Sequence, residues 1–228
     1  GSIMSVAAGD INADGKLDLL LGLADGGRTD TALPIGYRGM GMVALLASGT
    51  ATPYALTTLV AEPFSSACGA PAGGTATGQA LLADMDGDGD LDAICAGETH
   101  LGVLLNSGSG TAFVTSATLT GWSPTLDSEG NPWNPCVEVA LGDLNGDGAV
   151  DIVTVHTRGA NRIYLNNGGG TSFTSASTTF SPAAPTFGVQ IADLDSDGDL
   201  DLFFAKAQQG QASGRFTPEL LPPNHQRT

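Results

Sequence analysis

A chain of 228 residues with 24 Asp and Glu against 8 Lys and Arg carries a formal net charge of −16. Its 41% hydrophobic content is enough for a core and excludes wholesale disorder. No apolar run approaches the roughly 20 residues of a membrane-spanning helix. Charge of this sign does not suit nucleic acid, whose phosphates it would repel. Gly1-Ser2 reads as a remnant of cloning, with no signal-peptide pattern behind it.

The acid is concentrated rather than spread. Sixteen acidic residues fall in four clusters, and the other eight balance the eight Lys and Arg. The first cluster is Asp10-Ile-Asn12-Ala-Asp14-Gly15-Lys16-Leu-Asp18, followed by the apolar run Leu17–Leu21 and a long insertion over residues 25–41. After a second insertion, over residues 62–77, Gln79-Ala-Leu-Leu-Ala83 leads into Asp84-Met-Asp86-Gly-Asp88-Gly89-Asp90-Leu-Asp92. The segment Val103-Leu-Leu-Asn-Ser-Gly-Ser-Gly-Thr-Ala-Phe113 reads as a strand, a Gly-rich hairpin and a second strand. A third insertion, over residues 121–136, precedes Val137-Glu-Val-Ala-Leu141. The third loop is Asp143-Leu-Asn145-Gly-Asp147-Gly148-Ala149-Val-Asp151, followed by Val150-Asp-Ile-Val-Thr-Val155. The hairpin then recurs as Ile163-Tyr-Leu-Asn-Asn-Gly-Gly-Gly-Thr-Ser-Phe173. Last come Val189-Gln-Ile-Ala192, Asp193-Leu-Asp195-Ser-Asp197-Gly198-Asp199-Leu-Asp201 and Leu200-Asp-Leu-Phe-Phe204.

The first aspartates of these loops are 74, 59 and 50 residues apart. Each copy reads as strand A, acidic loop, strand B, a turn, strand C, Gly-rich hairpin and strand D, with no useful stretch of helical periodicity. Four short strands per unit is the pattern of an all-β propeller blade. The expected blades are 3–61, 78–120 and 137–180, with a partial fourth over 187–217. In that fourth copy a weak strand C is expected over 208–214, a strand D is expected to begin at 215–217, and 218–228 is a tail.

Carboxylates at loop positions 1, 3 and 5 place three oxygens on one side of a tight turn, as calcium requires. Position 6 is glycine in every copy (Gly15, Gly89, Gly148, Gly198), where the chain must turn with a dihedral other residues resist. The carbonyls of Lys16, Asp90, Ala149 and Asp199 at position 7 are available as ligands. The position-9 aspartates Asp18, Asp92, Asp151 and Asp201 are expected to close each site. Asn12 and Asn145 are neutral donors, so their two sites should bind more weakly. An EF-hand would need Glu at position 12, which holds Leu21, Cys95, Thr154 and Phe204. That module and the dockerin both need helical flanks, and the bland reading of solvated acidic turns does not account for such regular oxygen spacing.

These repeats resemble the FG-GAP/VCBS family, the calcium-binding propeller repeats of integrin α-subunits and many secreted bacterial proteins. The resemblance implies four-stranded antiparallel blades, about three and a half to four in this chain, with a calcium loop joining strands A and B of each. About four calcium ions are therefore expected, one per loop. Blade topology puts the calcium loops on one face and all three long insertions on the other. That second face is expected to collect Tyr37, Arg38, Glu98, His100, Trp122, Trp133, His156 and Arg158 as candidate ligand-binding residues. The competing reading is that the tryptophans pin their loop and the histidines are plain polar loop residues.

No G-x-S-x-G elbow, P-loop, dinucleotide fingerprint or H-E-x-x-H is present. The expected function is a non-catalytic, secreted module for adhesion or recognition of an extracellular protein or glycan. The alternatives are a lectin proper, or a structural or accessory domain of a larger extracellular enzyme such as a polysaccharide lyase. Self-association or further domains of a larger chain are expected to close the ring. The absence of Arg-Gly-Asp and of N-x-Ser/Thr sites fits a bacterial source. Of the cysteines, Cys95 reads as a buried thiol, while Cys68 and Cys136 are candidates for a disulfide.

Overall fold

A computed structural model describes residues 2–24, 42–47, 59–60, 79–97, 100–110, 112–119, 136–156, 160–176, 186–207 and 216–221. Among these every regular element is a strand, so none is a helix long and apolar enough to cross a membrane. The strands form four antiparallel sheets in two compact units, residues 1–121 and 122–228.

In the first unit, β1 (Ser2–Gly9), β2 (Asp18–Ala24), β3 (Met42–Leu45) and β4 (Leu59–Val60) lie side by side in chain order. The second sheet repeats that order with β5 (Gln79–Ala83), β6 (Asp92–Ala96), β7 (Leu101–Asn106) and β8 (Phe113–Leu119). These sequential meanders are the expected blades. The core lies between them: Ile11, Leu20, Met42, Ala44 and Leu46 of the first sheet pack on Ala80, Ala93, Cys95, Leu104 and Phe113 of the second. Cys95 is disulfide-bonded within this core. That corrects the expected free thiol, and with three cysteines in the chain it also removes a Cys68–Cys136 pair.

The second unit contains β9 (Cys136–Gly142), β10 (Asp151–His156), β11 (Arg162–Asn166) and β12 (Phe173–Ser175) in one sheet. Its other sheet is β13 (Thr186–Ala192), β14 (Asp201–Ala207) and β15 (Phe216–Leu221). Val153, Val155 and Ile163 meet Val189, Leu202 and Phe204 between the two sheets. Here the fourth copy departs from expectation. The strand that pairs with β14 is Phe216–Leu221, which runs into the segment expected as a tail, while residues 208–214, expected as strand C, lie outside the described residues.

The strands alternate buried and exposed positions because successive side chains point to opposite faces. In β14, Leu202 and Phe204 are buried while Phe203 between them is exposed. The central β6 and β10 are buried throughout. Their apolar runs fit positions with a strand on either side.

Candidate metal loops

The same hydrogen-bond scheme builds all four A–B loops. The position-1 carboxylate folds back over the turn and accepts the backbone N–H of the position-6 glycine, at 2.8, 3.0, 2.8 and 3.1 Å for Asp10, Asp84, Asp143 and Asp193. The position-3 side chain (Asn12, Asp86, Asn145, Asp195) accepts the N–H of position 5. The position-5 carboxylate (Asp14, Asp88, Asp147, Asp197) in turn accepts the N–H of position 7, which is Lys16, Asp90, Ala149 or Asp199. The four position-6 glycines have φ of +82°, +93°, +88° and +94°, as the turn demands.

A second left-handed residue sits at position 4, and the sequence reading passed over it. Gly87 and Gly146 take this conformation freely, whereas Ala13 and Ser196 adopt it at +55° and +63° against the usual steric cost. Glycine at this position in two of the four copies was the available signal.

In the second loop, carboxylate oxygens of Asp84, Asp86 and Asp88 lie within 4.8 Å of one another, and those of Asp193, Asp195 and Asp197 do the same in the fourth. Oxygens bound to one calcium at about 2.4 Å can be no more than twice that distance apart, so both triads fit a shared cation. Burial raises the pKa of Asp86 and Asp195, and neighbouring carboxylates raise it further. Crowding of this kind is relieved by a cation. Loops 1 and 3 fit less well. In loop 1 the Lys16 ammonium lies 2.6 Å from Asp14 and, as the main cause, holds that carboxyl below its ordinary range. In loop 3 the Asn145 amide donates to Asp147 at 2.9 Å. Lys16→Ala should therefore raise the calcium affinity of loop 1 a few-fold, read by calorimetric titration, with loops 2 and 4 as internal reference.

The position-9 aspartates, expected to close each site, also hold the backbone. Asp18, Asp92, Asp151 and Asp201 are buried beneath the loop. One oxygen accepts the N–H of position 2 (Ile11, Met85, Leu144, Leu194) at 2.7–2.9 Å. In the first three copies the other oxygen accepts the N–H at the end of strand C, from Ala47, Asn106 or Asn166. Each such carboxylate of the first three copies latches the loop to strand C. Burial pushes Asp92 up to about 6 despite the donors from Asn106 and Met85, and pushes Asp151 up as well.

A carboxyl whose folded pKa lies above its unfolded value stabilises the protein when protonated, and that contribution fades as pH rises through the folded pKa. Chelated protein should therefore be more stable at pH 5 than at pH 7, by about 1 kcal/mol from Asp92 alone. In calcium the trend should reverse, because the ion needs ionised ligands. Thermal unfolding under both conditions checks this.

The strand-C asparagines complete the loops, and sequence reasoning missed their role although both sit in the repeated hairpin. Asn106 donates to the carbonyls of Ile11 (2.7 Å) and Leu91 (3.1 Å) and accepts from Gly110 N. Asn166 repeats the pattern towards Val150, Gly168 and Gly170. Asn106 thus reaches from its own blade to the acidic loop of the blade before it.

Of the expected ligand-binding residues, Tyr37, Arg38, Glu98, Trp122, Trp133 and Arg158 lie outside the described residues. His100 is half-buried beside a turn in which its carbonyl accepts Gly97 N–H. His156 is buried at the end of β10, with its N–H on Asn161 and its Nε2 3.1 Å from the Thr154 hydroxyl. It is a core residue rather than the loop residue expected.

A model of the FG-GAP-like repeat matches residues 84–154 and 143–204, which together span more than half of the chain. The chain belongs to the FG-GAP-like repeat family. Two relatives of this FG-GAP protein are the cartilage acidic protein 1 of Mus musculus, 36% identical over 117 residues, and that of Xenopus tropicalis, 35% identical over 129. The matches cover 50% and 54% of this chain but only 17% and 19% of those proteins. In fold, 96% of the chain matches 52% of a solved chain with a TM-score of 0.54 and 22% identity. That chain is an Agrocybe aegerita lectin, in a structure explaining its specific recognition of non-reducing terminal N-acetylglucosamine. These relatives lend no support to the expected bacterial source.

Proposed function

We propose that this chain is a calcium-stabilised, non-catalytic propeller module that recognises a protein or glycan outside the cell. The observation that carries the reading is the acidic loop repeated four times in one hydrogen-bond scheme, with two triads of carboxylates close enough to share a cation. The position 1, 3 and 5 side chains would hold the ion, which would supply the positive charge that their mutual repulsion calls for. Extracellular calcium modules bind at about 10⁻⁴–10⁻³ M, so such loops suit a compartment rich in calcium.

Recognition is assigned to the face opposite the loops, where the insertions 25–41, 62–77 and 121–136 are expected with Tyr37, Arg38, Glu98, His100, Trp122, Trp133 and Arg158. The lectin-like fold favours a glycan as the ligand, because aromatic platforms with a few polar groups suit sugars. A glycan array probed with calcium-loaded and chelated protein tests the reading. Calcium-dependent hits that disappear in Trp133→Ala support a lectin using that face. A blank array from folded protein turns the search to protein ligands, and hits untouched by both chelation and Trp133→Ala contradict the proposed site.

A further inference from the structure

Two Asn-Gly pairs occur in the chain, Asn145-Gly146 in the third acidic loop and Asn167-Gly168 in the hairpin that follows it. An asparagine before glycine is chemically labile, because the backbone nitrogen of the next residue can attack the side-chain amide and glycine puts no side chain in its way. The third loop surrounds that reaction with partners. Gly146 N–H, which carries the attacking nitrogen, donates to Asp143 Oδ1 at 2.8 Å. Asn145 Oδ1, where negative charge gathers as the amide carbon is attacked, accepts the N–H of Asp147 at 3.0 Å. Asn145 Nδ2, the group that departs, donates to Asp147 Oδ2 at 2.9 Å. Asn145 and Gly146 are both exposed to water, and a Cβ at Gly146 would meet nothing within 4 Å.

The repeat supplies its own controls. At the same place in the first loop Asn12 precedes Ala13 rather than glycine, Asp10 Oδ1 accepts from Asp14 N–H, and the Asp14 carboxylate is held by Lys16. At Asn167 the following N–H, from Gly168, donates to the neutral amide oxygen of Asn166 at 3.2 Å rather than to a carboxylate. Loops 2 and 4 already carry aspartate at this position, as Asp86 and Asp195.

We propose that Asn145 is a site of spontaneous deamidation, which turns the third loop into a copy of the second. Gly146 N bonds to Asn145 Cγ and gives up its proton through Asp143 to water. The Cγ–Nδ2 bond breaks, and the nitrogen leaves as ammonia. One water then opens the cyclic imide. Opening at Cγ gives an aspartate at this position, and opening at the main-chain carbonyl gives an isoaspartyl link that lengthens the loop backbone by one carbon. The aspartate form has carboxylates at positions 1, 3 and 5 with glycine at 4 and 6, the arrangement of Asp84, Asp86, Gly87, Asp88 and Gly89. It also loses the amide donor that satisfies Asp147, leaving three carboxylates whose repulsion a cation relieves. The chemical change is independent of the proposed function, while its effect on calcium rests on that reading.

The full chain kept in mildly alkaline buffer, sampled over weeks and mapped by peptide mass spectrometry, tests it. Residue 145 should gain one mass unit several-fold faster than residue 167, with residue 12 unchanged. Gly146→Ala should slow the gain at least about tenfold, since it adds a side chain at a residue held at φ +74°. Asp143→Asn should slow it several-fold without altering the reacting pair, and serves if the alanine variant fails to fold. An unmodified residue 145, equal rates at residues 145 and 167, or a rate untouched by Asp143→Asn overturns the proposal. Asn145→Asp reports the consequence separately: by calorimetric titration it should raise the calcium affinity of loop 3 several-fold. Unchanged affinity overturns that consequence and counts against calcium in loop 3, while the mass change stands on its own.

Discussion

Asp92→Ala should destabilise the protein by about 2–4 kcal/mol in chelator, before any calcium is involved. Its two oxygens accept the N–H groups of Met85 at 2.7 Å and Asn106 at 2.8 Å, and the carboxylate is buried. Removing it leaves two backbone donors inside the fold with no acceptor, each costing about 1–3 kcal/mol. Asp92→Asn should fall between, because the amide oxygen can accept from one donor while its nitrogen cannot accept from the other. Asp88→Ala is the control. That carboxylate is exposed, so in chelator its loss should stay within about 0.5 kcal/mol, the usual range of surface substitutions. In calcium the order of effects should change, with Asp88→Ala losing the stabilisation the ion supplies to its loop. Urea unfolding of the three variants with and without calcium separates the roles. If Asp92→Ala behaved like Asp88→Ala, harmless in chelator and costly only in calcium, the latch assignment would be wrong.

Calcium removal should have the larger effect on the whole protein. With a dissociation constant near 10⁻⁴ M, a hundredfold excess of calcium stabilises each occupied site by about 2.7 kcal/mol. If the triads Asp84/Asp86/Asp88 and Asp193/Asp195/Asp197 are the two calcium sites proposed above, about 5 kcal/mol is expected from them together. For a chain of this size that corresponds to a rise in Tm of roughly 10–20 °C. Loops 1 and 3 should add less, because Lys16 already pairs with Asp14 and Asn145 already donates to Asp147. The measurement is a calcium titration followed by thermal unfolding, repeated with Asp86→Ala and Asp195→Ala. Each variant should remove about half of the shift. Equal midpoints in calcium and chelator would show that the acidic loops hold no structural ion.

Much of this was legible in the residues because a repeat reports on itself. Four copies of one nine-residue loop, each entered and left by short β-forming runs, define strand A, the turn and strand B without any knowledge of packing. The glycines at position 6 show the same directness, since a positive φ is a local demand that the residue type answers alone. The fourth copy was harder. Its last strand is set by pairing with Asp201–Ala207, a contact between segments that the local residues do not announce.

The position-9 aspartates mark the boundary most clearly. Spacing alone groups them with the three carboxylates before them, because a loop of alternating aspartates looks like one set of ligands. In the first three copies their side chains meet strand C behind the loop, where Ala47, Asn106 or Asn166 donates a backbone N–H. Those partners are 14 to 29 residues away. His156 and Cys95 follow the same rule, one drawn into a core and the other into a disulfide by neighbours far along the chain. Local chemistry therefore decides the turns and the strands from the amino-acid order. Which carboxylate faces the solvent and which is held by the backbone depend on contacts between distant segments, where burial and hydrogen-bond satisfaction act only once the sheets have met.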